Sequence, residues 1–120
     1  MNKLIAATCL ALAGMSTAFA QSIPKASTST ESLVQMCADK KDGAAQNFCH
    51  GFSQGVYETY LVSRHPKRAR PFICIEKSNA TRQDYIDAFL TWTSTHPQYN
   101  QLSAADTILR YLGETYPCKK

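Results

Sequence analysis

Four cysteines constrain this chain more than any other feature. The 120-residue sequence holds five. The first, Cys9, lies in MNKLIAATCLALAGMSTAFA, which has one lysine, an apolar run and a small-x-small ending at Ala18-Phe19-Ala20. That is the pattern of a secretory signal peptide over residues 1–20, cleaved before Gln21. The apolar run is short for a membrane span and polar residues follow it, so stable membrane insertion is not expected. Cys9 sits inside the run rather than after it, so no cysteine is left to anchor a lipid. Cys37, Cys49, Cys74 and Cys118 remain, an even set in an exported chain, which reads as two disulfides in an oxidising compartment.

A mature chain of about 100 residues makes one domain, at a size where a single core stabilises only marginally and covalent staples help. Residues 21–30, QSIPKASTST, are rich in Ser and Thr with no apolar period and read as a flexible leader, leaving 31–120 as the domain. A short first helix is expected from Thr30 as its cap, with Leu33, Met36 and Cys37 on one side, broken at Lys40-Lys41-Asp42-Gly43. A second helix is expected from Ala44 to Arg64. Residues 65–78 contain two prolines and form a connection anchored at Cys74. Thr81 and Asp84 spell a capping box that opens a third helix carrying Tyr85, Ile86, Phe89, Leu90 and Trp92, closed by His96-Pro97. Ser103 and Asp106 repeat the signature for a fourth, with Ala105, Ile108, Leu109, Leu112 and Tyr116 as its core stripe and Pro117 as its end. No segment alternates with period two. The predicted class is all-α, a compact disulfide-stapled bundle of about four helices.

Four cysteines allow three pairings, and the helix order favours one. In an up-and-down bundle Cys37 and Cys49 flank the first turn at one end, while Cys74 and Cys118 bracket helices three and four at the other. The expected pairs are Cys37 with Cys49 and Cys74 with Cys118, structural rather than redox-active because neither has C-x-x-C spacing.

Two glycines inside the second helix, Gly51 and Gly55, each cost on the order of 1 kcal/mol relative to alanine. On a helical wheel Gly55 falls with Phe48, Phe52, Val56 and Thr59 and Gly51 at the edge of that arc, so the pair reads as a flat strip for helix packing. His50, Tyr57 and Leu61 gather on the opposite side, either as a second core layer or as a contact surface.

Few constellations of catalytic chemistry present themselves. Cys49-His50 could end a C-x-x-C-H haem motif, but Gln46 stands where the first cysteine would be. His50, His65 and His96 lie on different elements without metal-ligand spacing. There is no G-x-S-x-G, H-E-x-x-H or reactive-thiol signature, so neither enzyme activity nor a cofactor is expected. Loss of Lys3 with the signal leaves 12 basic against 9 acidic residues, a net charge of +3. That mild excess, with no aromatics interleaved in the basic run from Arg64 to Arg70, argues against nucleic acid as a partner. The run itself is either a solvated loop or a docking patch for an acidic partner.

Cys37, FCHGFSQG around Cys49, FIC ending at Cys74, the THP helix end at His96-Pro97 and the closing YLGETYPC at Cys118 occur in an order that resembles the Rap/Tai family of type VI secretion immunity proteins. The likeness spans Leu33 to Cys118, and its most specific part is the C-x-G-(x)3-G unit of Cys49, Gly51 and Gly55. After Cys74 the chain has Ile75-Glu76 where the family pattern has a proline-containing turn. The resemblance implies a small, helical, disulfide-bonded periplasmic protein that binds a secreted effector, a cell-wall amidase, and occludes its active site; some members act as homodimers. His50, Tyr57 and Leu61 and the loop residues His65, Lys67, Arg68 and Arg70 are the candidate partner contacts, because the predicted core does not consume them. A periplasmic acid-stress chaperone or another small envelope binding protein without a toxin partner is the alternative, the chaperone disfavoured because two staples oppose the opening it requires.

Overall fold

The last helix contributes more buried residues than any other element, and the three helices before it all pack against it. The computed structural model describes residues 27–63, 70–76 and 78–119. Within these are α1 (Thr30–Ala38), α2 (Gly43–Ser63), α3 (Arg82–Ser94), a single 3-10 turn (Pro97–Tyr99) and α4 (Ala104–Thr115). The four α-helices pack on one another in every pairing. No β-strand occurs among the described residues, only two isolated antiparallel bridges, Ser29 with Ser103 and Ile73 with Pro117. The chain is all-α.

Each helix end has a local cause. The cap of α1 is Ser29, whose Oγ accepts from the Ser32 N–H at 3.2 Å. The cap expected at Thr30 moves back one residue because that hydroxyl is used in the core, bonded to Thr107 Oγ1 at 2.8 Å. The leader expected through residue 30 likewise ends earlier. Thr28 O accepts from Ala104 N at 2.8 Å, Thr30 N donates to Leu102 O at 2.9 Å, and Thr30 is fully buried.

The α1–α2 turn is closed by two aspartates. Asp39 Oδ1 accepts from Lys41 N and Asp42 N, and Asp42 Oδ1 accepts from Ala44 N and Ala45 N at the start of α2. Gln46 reaches back from α2, its Nε2 within 3.1 Å of the carbonyls of Met36, Cys37 and Asp39. It thereby satisfies carbonyls that the end of α1 leaves open.

On α3 the capping box forms: Thr81 N donates to Asp84 Oδ2 at 2.6 Å and Asp84 N to Thr81 Oγ1 at 3.2 Å. These bonds from Thr81, backbone first, hold the Asp84 carboxyl below the usual carboxylate range. The box expected at Ser103 and Asp106 does not form. Ser103 makes no side-chain cap, and Asp106 instead pairs with Arg110 at 2.7 Å one turn on. The backbone of residues 28–30, laid along the start of α4, takes up the donor and acceptor groups there.

Cys37 is bonded to Cys49, and Cys74 to Cys118, the pairs that the helix order favours. The first bridge is fully buried between α1 and α2. The second lies near the surface, and the anchor of the 65–78 connection is Ile73 at 3% exposure rather than Cys74. Tyr60 places that anchor: its Oη accepts from both Phe72 N and Ile73 N at 3.0 Å. Cys74 N donates to Tyr116 O at 2.8 Å, which ties the connection to the end of α4. Gly113 on α4 lies beneath the Phe72 ring, where a Cβ would come within 3.1 Å of ring carbon.

The inward face of α2 differs from expectation by roughly a quarter turn of the wheel. Cys49 and Tyr60 are buried, with Val56 and Tyr57 packed against the core, while Phe48 is 42% exposed and Thr59 faces water. Gly51 and Gly55 are exposed, and a Cβ added to either would meet nothing within 4 Å. They do not make a helix-packing strip. The phase of α2 is set by the buried disulfide at Cys49 and by the Tyr60 bonds, both of which outweigh the apolar pull of Phe48 and Phe52. On α4 the stripe is Ala104, Thr107, Ile108, Tyr111 and Leu112, with Ala105, Leu109 and Tyr116 only half-buried.

Candidate functional site

Where α2, α3 and α4 diverge they leave an open apolar cavity of about 420 Å³. Tyr57 and Leu61 form its α2 wall, Tyr85, Ile86 and Phe89 its α3 wall, and Ile108, Tyr111 and Leu112 its floor on α4. The helical repeat explains why these residues meet: 57 and 61, 85 and 89, 108 and 112 are each one turn apart and project to the same side. Charge is confined to the mouth, at Glu58 and Arg82.

Tyr57 and Leu61, two of the contact residues inferred from sequence, are therefore neighbours on one wall. Leu61 is 39% exposed and Tyr57 half-buried with its ring stacked on Tyr60. His50 lies nearer the start of α2 and is held by Gln83 of α3, Nε2 to Oε1 3.0 Å. Arg70 is exposed. His65, Lys67 and Arg68 lie outside the described residues.

Sequence reasoning missed Tyr111 as a core group, although its spacing from Ala104, Thr107 and Ile108 carries the helical signal. It is 3% exposed and contacts Phe89 edge-on and Trp92 at a tilt. Its hydroxyl is buried with no hydrogen-bond partner among the described residues. Burial pushes this phenol well above its ordinary pKa, because the anion would lose its hydration. His96, by contrast, is structural. It stacks on Trp92 with ring centroids 3.9 Å apart, and its Nδ1 lies 2.7 Å from the Trp92 carbonyl. Among the described residues no group of His, Cys, Asp or Glu side chains is arranged to hold a metal ion. No described helix is long and apolar enough to cross a membrane.

Taken together, these features define a small, disulfide-stapled, all-α protein with an open apolar concavity between three of its helices. The Rap1a immunity protein family model matches residues 29–118, and the chain belongs to that family. It is thus an immunity protein directed against a secreted effector. No curated protein and no solved structure matches the chain.

Proposed function

We propose that this protein resides in the periplasm, reached through a signal peptide over residues 1–20, and there binds and inhibits a type VI secretion effector. The target is a peptidoglycan amidase, and inhibition is by occlusion of its active site without chemistry on the inhibitor's side. The observation that carries this reading is the family match from residue 29 to residue 118, which takes in all four helices and both disulfides. The stapled scaffold supports it: an inhibitor whose conformational freedom is already lost incurs less ordering cost on binding. The contact residues are His50, Tyr57 and Leu61 on α2 together with the basic residues His65, Lys67, Arg68 and Arg70, and a second copy of the chain is a further partner.

The test is to produce a candidate amidase in the periplasm of a susceptible bacterium with and without this protein. Survival only in its presence is expected. Lysis at the same rate in both cultures removes that amidase as the target. Charge reversal at Lys67, Arg68 and Arg70 should weaken the complex without lowering the melting temperature; unchanged affinity would assign the basic segment to solubility.

A further inference from the structure

The cavity between α2, α3 and α4 has features that binding a folded effector does not call on. Its volume of about 420 Å³ falls in the range of pockets that enclose small ligands. At roughly 30 Å³ for each group the size of a water or methylene, the space takes a chain of about ten to fourteen carbons. The wall carries apolar groups that gain from leaving water, at roughly 25 cal/mol for each Å² covered.

The mouth holds one acid and one base in different states. The Glu58 carboxylate is engaged by Gln54 Nε2 from the preceding turn. Arg82, at the start of α3, lines the cavity with its side chain engaged in no ion pair or hydrogen bond among the described residues, as is also true of Lys41 and Arg70, which do not line it. A single uncommitted guanidinium over an apolar slot complements a ligand with an apolar tail and an anionic head. A planar guanidinium also matches a carboxylate with two parallel N–H donors.

We propose that this cavity binds a single-chain amphiphile with a carboxylate head, its alkyl chain against Ile86, Phe89 and Ile108 and its head on Arg82. The site shares Tyr57 and Leu61, its α2 wall, with the proposed effector contact.

The experiment is a calorimetric titration of the disulfide-intact mature protein at about pH 7.5, where carboxylates are ionised, with decanoate and with decyltrimethylammonium. These probes share a ten-carbon chain and differ in the sign of the head. Decanoate should saturate with one molecule per chain below about 1 mM, and the cation should bind more weakly. Arg82→Gln should weaken decanoate about threefold to fivefold, the range of an exposed ion pair, and should strengthen the cation, whose head is no longer repelled. The fold survives this change, since a cation in the first turn of a helix opposes the helix dipole. Ser53→Trp, which fills the space from α2, should abolish binding of both. Isoleucine methyl resonances should shift for Ile75, Ile86 and Ile108, which line the cavity, and stay for Ile73, which does not. The proposal is overturned if decanoate does not saturate, if the cation binds equally well, if Ser53→Trp leaves binding intact, or if the shifts fall elsewhere.

Discussion

Thr30 and Thr107 share a hydrogen bond of 2.8 Å between their hydroxyls, both side chains being completely buried where α1 meets α4. Thr30 Oγ1 also lies 3.1 Å from the Leu102 carbonyl. A buried pair of this kind contributes little net energy while intact and costs about 1–3 kcal/mol when one half is removed. Thr30→Val, similar in shape, should therefore destabilise by that amount in urea unfolding. The double variant Thr30→Val with Thr107→Val should recover part of the loss. Strict additivity of the two single effects would show that the hydroxyls do not interact.

The two disulfides differ in exposure, and so in their response to reductant. Under mild reduction of the folded protein, Cys74 and Cys118 should be alkylated first, because Cys37 and Cys49 are fully buried. Loop lengths of 12 and 44 residues imply losses of about 3 and about 4 kcal/mol on removal of the respective bridge. Peptide mapping over a reduction time course gives the order, and denaturant midpoints of the Cys-to-Ser variants give the losses.

Gly51 and Gly55 stand inside α2 with open space where a side chain would project. Alanine at either should stabilise the fold by up to about 1 kcal/mol, the helix propensity difference. Leucine at position 55 should be tolerated. A fall in melting temperature for Gly55→Leu would mean that the glycine face is covered in solution.

Tyr111 gives a pH dependence in the alkaline range. Its folded-state pKa is raised by burial, so above the unfolded value of about 10 the unfolded chain loses this proton while the folded chain keeps it. Stability is then complete below that pH and falls as pH rises beyond it. Tyr111→Phe should remove this component of the decline. Because the hydroxyl is buried beside the Tyr116 phenol without a hydrogen bond of ordinary length among the described residues, the variant should lie within about 1 kcal/mol of the parent near neutrality.

The parts of this fold legible in the sequence are those with local causes. Thr81 and Asp84 announce the start of α3 because the capping box spans only four residues, and His96-Pro97 announces its end. Helix order, read as an up-and-down bundle, favours the cysteine pairing that forms. The orientation of α2 does not, because the residues that decide it act across long separations: Cys49 through Cys37, and Tyr60 through the backbone of Phe72 and Ile73. Phe48 is 42% exposed and stacks at 5.5 Å on Phe52, which sits half-buried at the edge of the core, so the pair reads in sequence as the centre of a core stripe that lies further round the helix. Gln46 and Ser53, polar in composition, face inward. The cavity escapes a sequence reading because it is a gap between three helices whose separation no single helix encodes.

The isolated bridges at Ser29–Ser103 and Ile73–Pro117 bind α4 at both ends to segments made much earlier in the chain. Until residues 103–118 exist, Thr30 lacks its hydroxyl partner, Cys74 lacks its sulfur partner and the first three helices have no floor to close upon. The contacts of α1 with α2, including the Cys37–Cys49 bridge, do not depend on those residues, whereas the placement of residues 28–30 and 72–74 does. Removal of residues 103–118 should therefore open to proteases not only the site of α4 but also the backbone of residues 28–30 and 72–74, far away in sequence.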